Sequence, residues 1–255
     1  MTNPRVFTLL IDCQEDFMEG GALPVTGARA DMARLAAFIA KHRHTITRIG
    51  YSLDTHQPIS IFFPCWWRNA SGEHPAPFTL ITKEEVQEGL WMPIYDREQS
   101  MACLHHLGAV MIWTYHCLQG SAGAALEGTI QQAVTEHALA TQTNPYVLTK
   151  GLDRVSEMYG IVHPEHNPHG LTHRELLDEI ALYDRTIIAG EAASHCVLTS
   201  VRQICEGLAD LELTKRITLL TDCMSPIAGF EEQMTAGFAE LERKYRIQLV
   251  KSTEV

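Results

Sequence analysis

The sequence predicts an α/β protein with three layers, in which helices cover both faces of a mostly parallel central sheet. Short apolar runs alternate along the chain with longer segments whose apolar residues recur at helical spacing, as parallel strands joined by crossover helices require. The chain has 255 residues, of which 45% are hydrophobic and 20% are charged, and this composition suits a globular domain of that class. We therefore expect a single domain over residues 1–255.

The predicted strands are short apolar runs, because the strands of a sheet covered on both faces are buried on both sides. In chain order they are residues 6–11, 45–53, 110–114, 146–148, 186–189, 217–220 and 247–250. The predicted helices are residues 28–41, a helix from about residue 122, and residues 172–182, 197–204 and 228–244. In such a sheet ligands bind beyond the carboxyl ends of the strands, so residues at those ends are the functional candidates.

Residues 57–106 interrupt this alternation with a long segment rich in proline and tryptophan. A connection of this length without a regular pattern is typical of a functional lid or insertion. The alternative is a surface excursion that Trp66, Trp67 and Trp91 pack onto the body of the protein. The sequence favours neither interpretation over the other.

Charge and composition exclude several classes of partner. The net charge of −11, without a basic stripe, argues against nucleic acid. No apolar run approaches the roughly 18 residues that a membrane span needs, and the early acidic residues from Asp12 onward do not fit a signal peptide. Seven cysteines, an odd number in a chain of this length, do not suit a disulfide scaffold. We expect reduced thiols and a cytoplasmic protein.

Cys196 lies in the stretch IAGEAASHCVLTSV, between a predicted strand and a predicted helix. Structural cysteines are usually found inside apolar runs, where they act as small hydrophobic residues. At the N-terminus of a helix a thiol meets free N–H groups and the positive end of the helix dipole, which lower its pKa. This position therefore predicts a nucleophile.

Asp12 and Lys150 follow two other predicted strands. Asp12 comes directly after residues 6–11, and aspartate is depleted in strands and costly to bury unpaired. Lys150 follows residues 146–148, just before a glycine. Taken alone, the aspartate is also typical of a turn and the lysine of a solvated surface. Together with the thiol, they can form a triad in which the lysine favours the charged forms of its neighbours.

Asp54, His56 and His116 also follow predicted strands, in SLDTHQP and VMIWTYHC. One carboxylate and two imidazoles suit a divalent metal ion such as Zn, Mn, Fe or Ni. Asp-x-His alone is a weak signal, and each histidine can also be a loop or capping residue. The string VHPEHNPHGLTH is an alternative cluster, which we interpret as a polar loop because no regular element frames it. It contains His163, His166, His169 and His173.

Five motifs occur in an order that resembles one family. They are LLIDCQEDFMEGGALPVTGA, SLDTHQP, WTYHCLQGSAGA, TKGLD and GEAASHCVLTSV. Through them most of the chain resembles the nicotinamidase branch of the isochorismatase-like cysteine hydrolases, which implies a Rossmann-like α/β/α fold. Asp-x-His with a later histidine is similar to the metal-bearing members of that superfamily.

The resemblance implies a role for each residue of the candidate triad. Cys196 would be the nucleophile, Asp12 the general base and Lys150 the third member. The backbone N–H groups of Ala192 and Cys196 would form an oxyanion hole. The resemblance also implies a cis peptide bond between Glu191 and Ala192, which would turn these N–H groups toward one point.

The resemblance further implies the ligands of the site. Asp54, His56 and His116 would bind a divalent metal ion, and Phe17 and Trp113 would sandwich a pyridine ring. The implied reaction is the hydrolysis of nicotinamide to nicotinate and ammonia through a cysteine thioester. The implied partners are a small-molecule amide and, because family members are commonly oligomers, further copies of the chain.

The sequence departs from the family's pattern in several places. Ser194 stands where the family often has an aspartate, and Thr114 stands where it has a proline. No further histidine closely follows Asp-x-His; His74 could take that place, but we expect that it does not. Residues 57–106 are longer than the matching segment of compact nicotinamidases and fall where a pocket wall is expected.

Three alternatives to a nicotinamidase stay open at this point. The first is an amidohydrolase with the same triad that acts on another, bulkier small amide. The second is a non-catalytic binding protein on the same scaffold, against which the intact triad argues. The third is an isochorismatase, which would leave the Asp-x-His and the later histidine without a role.

Overall fold

The computed structural model describes residues 4–255, and its central sheet confirms the predicted fold class. The strands are β1 (Val6–Ile11), β2 (Arg48–Asp54), β3 (Trp67–Arg68), β4 (Leu80–Thr82), β5 (Met92–Pro93), β6 (Ala109–Met111), β7 (Tyr146–Lys150), β8 (Arg185–Gly190), β9 (Ile217–Leu220) and β10 (Gln248–Val250). The helices are α1 (Ala28–Lys41), α2 (Lys83–Gln87), α3 (Arg97–Leu107), α4 (Gly128–Thr141), α5 (Arg174–Ala181), α6 (Leu198–Leu208), α7 (Leu211–Thr214) and α8 (Glu231–Tyr245). Within residues 4–255, no helix is both long and apolar enough to cross a membrane.

The central sheet has six strands in the order β10-β9-β8-β1-β2-β7, and every neighbouring pair is parallel. From β1 the strands follow outward as β2 and β7, and from β8 they follow in the opposite direction as β9 and β10. The topology therefore switches between β1 and β8. Ile11 pairs with Gly190 at this point, and Asp54 pairs with Lys150 on the neighbouring strands. Because a crevice forms outside the carboxyl ends at such a switch, this register places the candidate residues around one crevice.

Two hydrophobic cores lie on opposite faces of the sheet, as the alternation of side chains along a strand requires. Along β1, Leu10 belongs to the core that includes α1 and α4, whereas Phe7 and Leu9 belong to the core that includes α5, α6 and α8. All three side chains are buried. The three-layer architecture follows from this division.

The segment that precedes His116 differs from its prediction. Residues 110–114 were expected to form a strand of the central sheet, and this prediction is wrong. Only Ala109–Met111 is a strand, and it pairs antiparallel with β4, which belongs to the long segment 57–106. The next helix begins at Gly128 rather than near residue 122, because a loop between them crosses the site.

The segment 57–106 packs onto the body of the protein. Trp66 and Trp67 are fully buried, and their indole N–H groups donate to Ser100 Oγ at 3.0 Å and Ile61 O at 2.6 Å. The guanidinium of Arg154 lies 5.5 Å from the Trp66 ring centroid. These contacts favour the interpretation of this segment as a packed excursion.

Candidate active site

A cavity opens at the carboxyl edge of the sheet, beside the central strands β1 and β8. Its volume is about 350 Å³, which includes the open solvent at its mouth. Lys150 and Cys196 of the predicted triad border it, together with Asp54 and His116 of the predicted metal group. The fold thus brings two separately predicted groups of residues into one cavity.

Lys150 is the centre of a buried cluster of charged groups. Its Nζ lies 3.0 Å from Oδ2 of Asp12 and donates to Oδ1 of Asp54 at 3.1 Å. It also donates to the carbonyl oxygen of Met158 at 2.8 Å and lies 3.7 Å from Sγ of Cys196. Since Asp12 and Lys150 are both buried, water and salt screen this ion pair far less than a surface pair.

The pKa values in this cluster follow from burial and from these contacts. Burial raises the pKa of Asp12, and the Lys150 charge offsets only part of the effect. Burial opposes the charge of Lys150, but Asp12 and Asp54 outweigh it and hold the lysine pKa well above its ordinary value. An ammonium ion therefore persists beside a carboxylate that binds protons readily.

The Cys196 thiol is protonated in this arrangement. Burial raises its pKa well above the ordinary value, and Lys150 opposes this only in part. Burial and the nearby Asp12 thus act against the lowered pKa that the start of a helix predicts. Attack by the sulfur requires a base, and Asp12, with its raised pKa, is suited to accept the proton.

The chain between β8 and α6 forms a tight turn that carries Cys196. The peptide bond between Glu191 and Ala192 is cis, which confirms the prediction, and Ala193–Val197 form a π-helical turn. In residues 4–255, the N–H of Ala192 donates to no protein acceptor, and the N–H of Cys196 donates to none outside its own turn. The N–H of Ala192 is therefore available to an oxygen atom of a ligand.

Asp54, His56 and His116 form a second cluster, in which the ligand atoms lie within 4.8 Å of one another. Oδ2 of Asp54 lies 2.7 Å from Nε2 of His56 and 3.5 Å from Nε2 of His116. Nδ1 of His56 contacts the carbonyl oxygen of Gly151 at 3.1 Å, and Nδ1 of His116 contacts that of Thr114 at 2.8 Å. Because a carbonyl only accepts, each ring donates from Nδ1 to its carbonyl oxygen and directs Nε2 toward Asp54. Metal-binding histidines are oriented in this way, so these residues fit a divalent ion.

Gly151 allows the chain to pass close to this metal group. Its φ of +81° lies in the left-handed region, and a Cβ there would lie 2.7 Å from Cε1 of His56 and 2.8 Å from Oδ1 of Asp54.

Asp54 itself joins the two clusters. Burial opposes its charge, but His56 and Lys150 outweigh burial and hold its pKa well below the ordinary value.

His116 comes from the loop 112–127, which Asp16 holds in place. Oδ2 of Asp16 accepts the N–H of Cys117 at 2.6 Å, and the N–H of Asp16 donates to the carbonyl oxygen of Gly123 at 3.0 Å. A Cβ at Gly123 would lie 2.2 Å from the Asp16 carboxylate, so this close approach requires glycine. His116 therefore reaches the site from a braced loop and not from a strand of the central sheet.

Phe17 and Trp113 are buried and border the cavity, as the resemblance implies for residues that contact a substrate. Phe17 packs against the ring of His116 with 5.7 Å between centroids. Trp113 Nε1 donates to Oε2 of Glu157 at 3.0 Å, which fixes the orientation of the indole.

Comparison with known proteins identifies the fold. No family model and no curated protein matches the sequence. A nicotinamidase/pyrazinamidase from Acinetobacter baumanii has a TM-score of 0.68 and 16% identity, over 100% of this chain and 99% of that one. A pyrazinamidase of Pyrococcus horikoshii, solved in complex with zinc, has a TM-score of 0.57 and 18% identity, over 97% of this chain and 99% of that one. An N-carbamoylsarcosine amidase from Thermoplasma acidophilum has a TM-score of 0.53 and 15% identity, with 98% of each chain covered.

The chain has the nicotinamidase fold. This confirms the isochorismatase-like architecture that the five motifs imply. At these low identities the similarity concerns the fold, and the chemistry has to be argued from the residues in the cavity.

Three residues that the sequence did not single out also border the cavity of this nicotinamidase fold: Glu157, Tyr159 and His195. Glu157 is buried, which raises its pKa, and its Oε1 accepts the N–H of Met158 at 3.1 Å. Glu157 and Tyr159 lie in an irregular segment after β7, where no periodicity marks a functional residue. For His195, adjacency to Cys196 was the signal that could have identified it.

The segment 57–106 supports the metal group from behind. Phe62 and Phe63 pack their rings 4.6 Å and 5.8 Å from the ring of His56. The residues that line the cavity all come from outside this segment, so the expectation that it forms the pocket wall is wrong. The physical reason is that Phe62 and Phe63 are buried against His56 of the metal group and do not border the open space.

The other histidines lie apart from the metal group. His74 Nδ1 contacts the carbonyl oxygen of Trp67 at 2.6 Å, in keeping with the expectation that it does not act as a ligand. Within residues 4–255, no other three histidine, cysteine or acidic side chains converge as Asp54, His56 and His116 do. The string VHPEHNPHGLTH is irregular, as interpreted from the sequence.

Proposed function

We propose that this protein is a metal-bearing cysteine amidohydrolase that hydrolyses nicotinamide to nicotinate and ammonia. One observation carries the proposal: a buried cluster of aspartate, lysine and cysteine and a convergent Asp-His-His group meet at the edge of one cavity. The nicotinamidase fold of the chain agrees with this chemistry.

In the first half of the proposed reaction, Asp12 takes the proton of Cys196 and Sγ attacks the carboxamide carbon. The N–H groups of Ala192 and Cys196 receive the negative charge that develops on the carboxamide oxygen. Asp12 then gives its proton to the amide nitrogen, the C–N bond breaks and ammonia leaves. The acyl group remains attached to sulfur as a thioester, and Lys150 stays charged throughout.

In the second half, a water molecule replaces ammonia in the cavity. Asp12 takes a proton from the water as its oxygen attacks the thioester carbon. The C–S bond then breaks, the carboxylic acid leaves, and Asp12 returns the proton to sulfur. Asp12 thus acts first as a base and then as an acid in each half, which its raised pKa favours.

Asp54, His56 and His116 would hold the divalent ion, with Zn, Mn, Fe and Ni as the candidates. When bound, the ion supplies a Lewis acid that a ring nitrogen of the substrate can contact, which orients the carboxamide. Phe17 and Trp113 would enclose the ring. Cys196 and Asp12 carry out the attack at the carboxamide carbon.

A second candidate is hydrolysis of another small amide by the same residues. Glu157 and Tyr159 favour it, because they add polar groups to a cavity wall that a plain pyridine ring does not need. A non-catalytic binding protein is the candidate of another class. It gives no reason for a buried thiol beside an ion pair of lysine and aspartate.

The deciding experiment is ammonia release from nicotinamide by metal-loaded protein. We expect release by the wild type and its loss, by at least about 10³-fold, in Cys196→Ala, because the thioester cannot form. Cys205→Ala is the matched control, since Cys205 is buried in the core at α6, away from the cavity. Equal release by Cys196→Ala and the wild type would overturn the mechanism. Release only from other amides would keep the mechanism and replace the substrate.

Assembly and location stay predictions of the sequence. We propose that the protein is cytoplasmic and that it forms a homo-oligomer. The molecular mass in solution, measured by light scattering, tests the oligomer. All seven cysteine thiols are free in the structure, and the reducing cytoplasm keeps such thiols in that state.

A further inference from the structure

Ser194 and His195 form a hydrogen-bonded pair next to the proposed nucleophile. Ser194 Oγ lies 2.8 Å from Nδ1 of His195. Ser194 is buried, whereas the ring of His195 borders the cavity. Whether Ser194 or His195 donates the proton of this hydrogen bond determines which ring nitrogen of His195 can donate to a ligand.

The partners of Ser194 fix the direction of that hydrogen bond. Its Oγ accepts the N–H of Ile227 at 3.0 Å, and within residues 4–255 its only other side-chain hydrogen bond is with His195. If Nδ1 of His195 carried a proton, the buried hydroxyl proton of Ser194 would have no acceptor, which is costly. Ser194 therefore donates to Nδ1, and the neutral imidazole carries its own proton on Nε2.

The surroundings of the ring keep it neutral. His195 packs against the rings of Trp113, Tyr159 and Phe230, with centroid distances of 5.7, 5.5 and 4.6 Å. Burial among these rings lowers the pKa of His195 to about 4. At neutral pH, the ring is therefore a donor through Nε2 only.

The Nε2–H group is available to a ligand. Nδ1 is turned to Ser194, and Nε2, at the far side of the ring, has no protein hydrogen-bond partner within residues 4–255. Tyr159, which also borders the cavity, packs on the same ring. The Nε2–H of His195 is therefore an unpaired donor on a side chain that lines the space a substrate would fill.

We propose, building on the second candidate function above (an amidohydrolase that acts on another small amide), that Ser194 and His195 select amides whose end remote from the carboxamide carries a hydrogen-bond acceptor. The acceptor is a carbonyl, ether or carboxylate oxygen that receives the Nε2–H of His195. His195 contacts the substrate and determines specificity, and Ser194 is a positioning residue that acts through the tautomer of His195. An amide that ends in an alkyl group leaves this donor unpaired, which corresponds to about tenfold weaker binding.

The first test reads the tautomer directly. In protein with ¹⁵N-labelled histidine, long-range ¹⁵N–¹H spectra distinguish a ring protonated on Nε2 from one protonated on Nδ1. We expect Nε2–H for His195 in the wild type, with the signal assigned by its absence in His195→Phe. In Ser194→Asp at alkaline pH we expect Nδ1–H, because a carboxylate accepts and does not donate. A wild-type ring protonated on Nδ1 would overturn the proposal.

The second test measures selection without turnover. In Cys196→Ala protein, dissociation constants are compared for levulinamide and isocaproamide, two amides of similar shape that end in a ketone and a methyl branch. We expect levulinamide to bind about tenfold more tightly, and the ratio to fall to about one when Ser194→Asp or His195→Phe is added. His195→Phe keeps the aromatic packing and removes the donor, and it decides the question if Ser194→Asp fails to fold. His195→Gln, which restores an N–H donor, should recover part of the preference.

These results separate this inference from the proposed function. Equal binding of the two amides, or a preference that survives His195→Phe, would overturn the inference even if Cys196-dependent ammonia release is present. A preference for levulinamide that requires His195, without ammonia release from any amide, would support the inference and overturn the amidohydrolase.

Discussion

At the scale of single residues, the site contains buried charged groups whose charges are balanced by neighbouring groups of opposite charge. Lys150 is surrounded by two carboxylates and a carbonyl oxygen, so its charge is retained although the side chain is buried. Glu191, behind the nucleophile turn, is different. Its Oε2 accepts the N–H of Ser225 at 3.2 Å, and within residues 4–255 its buried Oε1 has no hydrogen-bond partner. Burial, reinforced by Asp31, raises the pKa of Glu191 well above its ordinary value.

The raised pKa of Glu191 predicts a pH-dependent stability. Above the ordinary glutamate pKa the unfolded chain releases a proton that the folded chain keeps, so the free energy of unfolding falls as pH rises toward the folded-state value. Glu191→Gln should remove this slope, because it replaces the acid by a neutral side chain of the same shape. At neutral pH we expect the variant to be more stable than the wild type by on the order of 1 kcal/mol.

Urea unfolding at several pH values measures this effect. Glu212→Gln is the control, since Glu212 is exposed and its replacement should leave the slope unchanged. Parallel curves for wild type and Glu191→Gln would show that Glu191 is ionised in the folded protein.

At the scale of elements, the site combines rigid strand ends with one braced loop. Lys150 ends β7, and Asp12 and the nucleophile turn follow β1 and β8, whereas Trp113 and His116 belong to the loop 112–127. Only isolated backbone bridges, between His56 and Leu118 and between Gln14 and Leu126, connect this loop to its neighbours, so side-chain contacts contribute to its support. Thr114 Oγ1 donates to the carbonyl oxygen of Ala22 at 2.6 Å, and Oδ2 of Asp16 accepts the N–H of Cys117 at 2.6 Å.

Asp16→Ala should therefore weaken metal binding without touching a ligand. The substitution removes the acceptor of the Cys117 N–H, next to His116, and of the Ala22 N–H at 3.2 Å. Loss of such outer contacts typically costs 10–100-fold in metal affinity, and we expect a loss in that range for zinc. Competition with a chromophoric chelator measures it.

Glu15→Ala is the control for this prediction. Glu15 is adjacent in sequence, but its carboxylate pairs with Arg29 at 3.4 Å and accepts the N–H of Gly128 at 3.3 Å, and it contacts neither Cys117 nor Ala22. Unchanged zinc affinity in Asp16→Ala would mean that the loop holds His116 without the aspartate.

At the scale of the whole molecule, the metal group connects parts of the chain that are distant in sequence. Asp54 ends β2, His56 follows it, and His116 comes from a loop after β6. Phe62 and Phe63 of the segment 57–106 pack behind the histidine rings. A ligand that binds only the assembled group stabilises the fold as a unit.

We therefore expect zinc to raise the melting temperature and a chelator to reverse the shift. At a free concentration 100 times the dissociation constant, the stabilisation is about 2.7 kcal/mol. His56→Ala should abolish the shift and lower the metal content from about one ion per chain. Thermal unfolding together with elemental analysis tests this.

His74→Ala is the matched control, because His74 contacts Trp67 and not the metal group. It should keep both the metal content and the shift. A shift that persists in His56→Ala would assign the metal to other residues.

The sequence by itself determined the strands of the central sheet, the main helices between them and the residues at the ends of those strands. Burial of a strand on both faces produces an apolar run that is visible locally, and a polar residue that ends such a run is visible for the same reason. Asp12, Asp54, Lys150 and Cys196 were predictable on this ground. The resemblance added the cis peptide bond after Glu191, which the structure contains.

Only the tertiary structure decided what depends on distance through space. Residues 110–114 look like a buried strand, but a partner from the segment 57–106 takes them out of the central sheet. Glu157 has no local signal, because its burial beside Trp113 arises only when two distant segments meet. The pKa of Cys196 and the tautomer of His195 likewise depend on the charges and hydrogen-bond partners that folding brings together, and a linear sequence does not specify those neighbours.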